Sequence, residues 1–336
     1  MKESSILLRL VHESLLKLNV DVDAIYRKCG VTLEHLKDTT MRHSHSANFV
    51  FWQSAEEVTG DQDIGLHVAE ALPLYRGQVL EYLFLSSPNF GEGLNRALHY
   101  QRLLTDVAMA YLEVNDTDAV LVLDSKLGDQ LSKHYNECVV LGIIRFFESI
   151  THNNFNASSI DFICPEPKEV AEHKRVYGCE LRFSQKVNAI HFNAEVLAHH
   201  SIHAEPELLK LHEKVAGEHV ARIEQEDRVL EVRRAIAEML ESQEVSLELV
   251  SASMDMTARS LRSALSSAGT SFNQVLSDYR SHLAKRLLVQ TTESIKEIVY
   301  LTGFSEPSTF YRAFKRWTDT TPVEYRKAKQ GSREHP

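Results

Sequence analysis

The run Ser294 to Lys327, SIKEIVYLTGFSEPSTFYRAFKRWTDTTPVEYRK, restricts the fold more than any other part of the chain. Ser294 followed three residues later by Glu297 is a capping box, in which each side chain meets a backbone N–H that the first helical turn leaves unbonded, so a helix begins here. Gly303 ends it. Ser305 is then placed to cap a second helix, where Pro307 is tolerated because first-turn N–H groups make no intrahelical bond. Two short helices meeting at a glycine turn have the spacing of a helix-turn-helix. The second carries Ser308, Tyr311, Arg312, Lys315 and Arg316 on its polar side and turns Phe310, Phe314 and Trp317 inward.

A weak internal repeat extends this pattern toward the N-terminus. Ser246, Leu247 and Val250 precede Met256, Thr257, Leu261 and Leu265 much as Ser294, Ile295 and Ile298 precede Phe304, Ser305, Phe310 and Phe314. The two units run over about 246–266 and 294–317. Between them Phe272, Val275, Leu276, Tyr279, Leu283 and Leu287 share one face of a joining helix, whose opposite face shows Arg280, Lys285 and Arg286.

With 336 residues, 43% of them hydrophobic, the chain is long enough for two globular domains. Its net charge of −10 argues against a nucleic-acid partner until it is mapped. Before Met256 there are 24 basic against 40 acidic side chains; from Met256 onward there are 13 against 7. An acidic body therefore carries a basic end, and only that end needs to meet phosphates. The four cysteines, Cys29, Cys138, Cys164 and Cys179, form no C-x-x-C pair, which fits neither a disulfide framework nor a cysteine zinc site. A reducing cytoplasm is expected, with no leader pattern and no apolar run long enough for a membrane span.

Ahead of the basic end the pattern is mixed. Helical periods are predicted at Ser4 to Leu18, Ala47 to Val58, Val79 to Leu85, Gly91 to Leu104 and about Leu131 to Ser149. A hairpin is predicted from Ala108–Val114 and Ala119–Leu123 around Asn115, Asp116 and Thr117, and further strands at Ile160–Cys164 and on both sides of Ser184–Lys186. Glu205 to Gln243 reads as a charged helical linker with the domain boundary near Gln225. The domains are thus 1–224 and 225–336.

The run Gly303 to Trp317, continued by Thr321-Pro322 and Glu324-Tyr325-Arg326, resembles the signature of the AraC/XylS family of bacterial transcription regulators. Asp63-Ile64-Gly65-Leu66, Leu85-Ser86-Ser87-Pro88 and the helix Leu94 to Leu104 look like the arabinose-binding-type N-terminal domain of the subgroup containing ornithine and arginine utilisation regulators. The resemblance implies an α+β N-terminal sensor domain followed by an all-α C-terminal domain with two helix-turn-helix units joined by a long helix. It places base contacts at Arg259, Arg262 and Ser263 in the first unit and at Pro307, Ser308, Tyr311 and Arg312 in the second. Double-stranded DNA is the implied partner, with RNA polymerase by analogy, a small-molecule effector, a homodimer and an activating role. Ser263 stands where arginine is frequent, Val299 where alanine is preferred, and Asp319 where glycine is frequent.

On chemistry alone, Arg259 and Arg262 lie three apart on one helix face, and arginine matches guanine O6 and N7 bidentately. The alternative is a pair of solvated surface arginines. Lys315, Arg316, Arg280, Lys285 and Arg286 suit phosphates, which position a protein without reading sequence. Tyr75, Arg76, Tyr82, His99 and Arg102 are candidates to line an effector pocket, with surface or core roles equally open.

Other constellations fall short of chemistry. His199 and His203 have metal-pair spacing beside His200 but no neighbouring carboxylate or cysteine ligand. His212-Glu213 begins a zincin pattern that Ala216 breaks, and Gly91-x-Gly93 has Arg96 where a nucleotide loop needs glycine. No cofactor, metal or catalysis is expected. The competing function is a cysteine-dependent DNA-repair enzyme, or another enzyme, fused to a DNA-binding tail, which requires an activated thiol.

Overall fold

The computed structural model describes residues 2–30, 36, 42–45, 48–73, 78–240 and 245–331, and the chain divides into two units, Met1–Val220 and Ala221–Pro336. The division falls inside a single helix, Pro206–Leu240.

In the first unit, the turn residues Asp116 and Thr117 fold the predicted hairpin. Strands β3 (Ala108–Asn115) and β4 (Asp118–Ser125) pair antiparallel from Ala108↔Ser125 to Asn115↔Asp118. With β5 (Ala157–Asp161), β6 (Glu180–Arg182) and β7 (Asn188–Asn193) they form a sheet of order β3-β4-β7-β5-β6, antiparallel except for β5 and β6. A further two-stranded ribbon joins β1 (Lys2–Ser4) to β2 (Arg42–Ser44). The edge strand β3 is partly closed by a side chain: Gln101 accepts from the N–H of Ala110 at 2.6 Å and donates to its carbonyl at 3.1 Å.

Helix Lys133–Ile150 is buried nearly all round, which its apolar sequence requires. Val140, Ile144 and Phe147 join Leu121, Ile160, Ile190 and Phe192 of the sheet, while Cys138 and Leu141 join Ile25, Phe51, Trp52, Ile64 and Val68 of the N-terminal helices. Those helices are Ser5–Lys17, Val22–Cys29, Asn48–Thr59 and Ile64–Ala71. Several boundaries differ from the sequence reading. Gly91 to Leu104 divides into a helix Phe90–His99 and a short 3-10 turn Gln101–Leu103, and the strand expected at Ile160–Cys164 runs Ala157–Asp161. Val79–Ser86 is helical as its period indicates.

The second unit has two small cores. The first combines Val250, Leu261, Leu265 and Val275 with Val232, Ile236 and Leu240 of the long helix; the second combines Ala284, Leu288, Ile298, Val299, Phe304, Phe310 and Phe314. The end of the presumed linker is therefore core. Helix Phe272–Gln290 contributes to both, so one rigid element is common to them.

Candidate functional site

The first helix pair is Leu247–Ser253 and Ala258–Ser267. Ser246 caps the former by accepting from Leu249 N at 3.2 Å, and Thr257 caps the latter by accepting from Ser260 N at 3.1 Å. The second pair is Ile295–Leu301 and Pro307–Thr318. The capping box forms: Ser294 accepts from Glu297 N at 3.2 Å while the Glu297 carboxylate accepts from Ser294 N at 3.0 Å. The Ser294 hydroxyl, donating to the same carboxylate at 2.8 Å, and then the Ser294 N–H hold the Glu297 carboxyl below its usual range.

Ser305 does not cap the second helix. Glu306 occupies the N-cap without accepting from a backbone N–H of the helix, its carboxylate taking only the Ser308 hydroxyl at 3.4 Å, and Pro307 takes the first helical position, where its missing N–H costs nothing. The turn depends on Gly303, whose φ of +73° is left-handed and whose flank is filled: a Cβ there would collide with the Leu240 side chain and lie 3.1 Å from Arg280 Nη2. At the far end Asp319 adopts φ 58° and donates its N–H to Lys315 O at 2.8 Å, so an aspartate meets the left-handed requirement. Val299, where the family prefers alanine, is fully buried in the second core.

Arg259, Arg262 and Ser263 are exposed on Ala258–Ser267. Pro307, Ser308 and Arg312 are exposed on the second helix, with Lys315 and Arg316 exposed in its last turn, while Tyr311 is half-buried against the second core. Among the described residues none of these five cations has a carboxylate within ion-pair distance; Arg312 Nε only reaches Ser308 O at 3.4 Å along its own helix. In the first unit, by contrast, Arg96, Arg175 and Arg182 all engage carboxylates. Arg280 leaves the phosphate set, because it is half-buried, donates to Gly303 O at 2.7 Å and lies over the Phe304 ring at 4.7 Å. Phe310 and Phe314 are fully buried and Trp317 donates to Ser277 Oγ at 2.9 Å, so the aromatic stripe is core.

A second site lies in the first unit. A cavity of about 260 Å³ is walled by Leu7, Leu8, Leu10, Val11, Phe51, Trp52, Leu72 and Val139, with Glu3, Asn48 and Tyr135 among its few polar members. Glu3 accepts from Tyr135 OH at 2.5 Å, from His45 Nδ1 at 2.8 Å and from Asn48 Nδ2 at 3.3 Å. Of the pocket residues expected from sequence, the described ones, Tyr82, His99 and Arg102, are not among its walls. Tyr82 stacks on His212, His99 packs edge-on against Tyr100, Arg102 pairs with Asp106, and Tyr75 and Arg76 lie outside the described residues. The cavity was illegible in sequence because its walls come from segments far apart along the chain.

Behind the cavity, helix Lys133–Ile150 turns His134 and Glu137 into a buried polar cluster. His173 Nε2 meets Glu137 Oε1 at 2.7 Å, His134 Nδ1 lies 3.5 Å from Glu137 Oε2, and His134 Nε2 meets Glu56 Oε2 at 3.0 Å. Burial disfavours charge on both groups, yet their mutual contacts win: His134 is raised and Glu137 lowered from their ordinary pKa values.

The remaining motifs are structural. His199 and His200 lie in extended chain, so their spacing from His203 puts no pair on a helix face. Ser86 Oγ meets His212 Nδ1 at 3.1 Å and Arg96 donates to Glu213 at 2.8 Å, docking the start of the long helix. Gly93 lets its helix approach Phe84, whose ring a Cβ would meet at 2.7 Å. His67, Glu70 and Glu172 come close enough to hold a metal, but Arg175 already engages both carboxylates. Burial pushes the Cys138 thiol up to about 12 and those of Cys164 and Cys179 up to about 11, the opposite of nucleophile activation.

Residues 20–201 match the model of the arabinose-binding domain of AraC transcription regulators, N-terminal, and residues 250–328 match a helix-turn-helix domain. The chain is similar to the ornithine utilization regulator of Pseudomonas aeruginosa, 28% identical over 82% of this chain and 81% of the relative. It is similar to the HTH-type transcriptional regulator VirS of Mycobacterium tuberculosis, 25% identical over 46% of each chain. Among solved structures, the transcriptional regulator CdpR from Pseudomonas aeruginosa matches with a TM-score of 0.43 and 16% identity, over 91% of this chain and 98% of that one.

Proposed function

This chain belongs to the AraC family of transcription regulators, and from that premise we propose that its two helix-turn-helix units read one asymmetric DNA site under the control of a small molecule held in the first unit. The protein is a DNA-binding transcription regulator with an N-terminal sensor domain. Arg259, Arg262 and Ser263 address one major-groove segment and Pro307, Ser308, Tyr311 and Arg312 the next, about one helical turn, roughly 34 Å, away along the duplex. Lys315 and Arg316 hold phosphates and fix register. The observation that carries this reading is the set of exposed cations on the second helices, without carboxylate partners among the described residues, in a chain otherwise rich in acid.

The effector acts by linkage: it changes DNA affinity only to the extent that it binds two arrangements of the protein unequally. The cavity beside Trp52 is the site for it. The Pseudomonas relative is named for ornithine utilisation, which supports a metabolite-responsive role. Activation through RNA polymerase, a homodimer and a cytoplasmic location complete the proposal. Genome-wide footprinting tests it. Protected asymmetric sites upstream of a coherent set of genes support it, and uniform low-affinity coating of DNA would remove it.

A further inference from the structure

Resting on the assignment of the cavity as the effector site, we infer that its ligand is a small amphiphile with an aliphatic body and a single hydrogen-bond-donating head that carries no negative charge, an alcohol or a primary amine. The walls decide the body. Leucine, valine, phenylalanine and tryptophan side chains surround most of the volume, and a polyhydroxylated sugar placed among them leaves several buried hydroxyls without partners.

The polar end decides the head. Lysine and arginine are absent from the described lining, and its one charged side chain is the Glu3 carboxylate. Beside the described lining a carboxylate or phosphate head would therefore be desolvated next to a like charge with no lysine or arginine to offset it, and a zwitterionic amino acid would meet the same penalty at its acid end. Asn48 sharpens this. Its amide nitrogen faces Glu3, since the reverse orientation would set oxygen against oxygen, and Oδ1 is left buried without a protein partner. Asn48 Oδ1 is thus the acceptor left over among the described residues at this end, and a ligand that donates supplies its missing partner. The established donors to Glu3, Tyr135 and His45, stay in place and orient it.

Trp52 reports on the site directly. The chain has two tryptophans, and the full-length Trp317→Phe protein leaves Trp52 as the single emitter in the cavity wall. Titrations with 1-octanol, octylamine, octanoate, L-arabinose and L-ornithine, read by Trp52 emission and by calorimetry, separate the classes. We expect the alcohol and the amine to shift Trp52 emission and octanoate to bind at least about tenfold more weakly. Glu3→Gln should weaken octylamine about tenfold while changing 1-octanol far less, which distinguishes a charge-assisted head from a neutral one. Equal binding of octanoate, preference for the sugar or the amino acid at Trp52, or no emission change with any of the five overturns the inference. Calorimetric binding of L-arabinose or L-ornithine with Trp52 silent overturns it while leaving metabolite sensing intact. Amphiphile binding at Trp52 that leaves DNA affinity unchanged does the reverse, upholding the ligand class and removing the effector role.

Discussion

Arg280 Nη2 donates to the carbonyl oxygen of Gly303 at 2.7 Å, tying the helix common to both cores to the turn of the second helix-turn-helix. The same guanidinium covers the Phe304 ring, and burial pushes its pKa down. It is a bracket within the protein.

Arg280→Ala should therefore lower the stability of the second unit by about 1–3 kcal/mol, the range for a hydrogen bond to a charged group, reduced by the Nε that has no partner. Chemical denaturation followed by Trp317 emission measures this. The salt dependence of DNA binding should keep its slope, since no phosphate contact is lost. A shallower slope with unchanged stability would return Arg280 to the DNA surface.

Gly303→Ala should cost more, about 2 kcal/mol or above, because it combines left-handed strain with a Cβ driven into Leu240. The transition midpoint should fall while the first unit, followed by Trp52 in the Trp317→Phe background, is unaffected. A neutral result would mean that the turn relaxes freely.

The buried cluster gives the first unit a pH optimum. Glu137 is lowered in the fold, so its contribution is present above the ordinary carboxyl value of 4.5 and disappears as pH falls through the folded value. His134 and His67 are raised, so their contributions are complete below 6.5 and disappear as pH rises through their folded values. Thermal midpoints should peak between about pH 5 and 6.5, and Glu137→Gln should flatten both the acid limb and the His134 part of the basic limb. A profile identical to wild type would show the cluster to be electrostatically idle.

Much of the second unit was legible because its determinants are local. Ser294 and Glu297 close within one turn, and Phe310 and Phe314 repeat at helical spacing. Ser305 misled because two adjacent residues, Ser305 and Glu306, compete for the cap, and Pro307 at the first helical position selects the second. Arg280 reads as polar face by periodicity, and only the tertiary approach of Gly303 claims it. In the first unit the Asn115–Asp118 turn fixes one hairpin, but the insertion of β7 between β4 and β5 is a long-range pairing that no local pattern encodes. The β1–β2 ribbon is three residues per strand and is anchored by Glu3 reaching Tyr135 and His45, so neither it nor the cavity beside it has a sequence signature.

Lys315→Ala and Arg316→Ala should each weaken DNA binding nearly equally across sequences and reduce the slope of log affinity against log salt by about 1. Titrations at several salt concentrations on a cognate and a scrambled site measure both effects. Loss confined to the cognate site would promote these residues to base contacts.

The two units divide the reading of DNA unequally. The first recognition helix carries Ser263, Ala264 and Ser266 after its two arginines, while the second adds Tyr311, Lys315 and Arg316 around Arg312. Binding titrations of Arg312→Ala and Arg262→Ala on a panel of single-base variants of the natural site test it most directly. Arg312→Ala should lose about 1–3 kcal/mol with preference relaxed at one base pair, and Arg262→Ala should lose less. A larger loss at Arg262, or a loss at Arg312 that is equal on every sequence, would contradict the account.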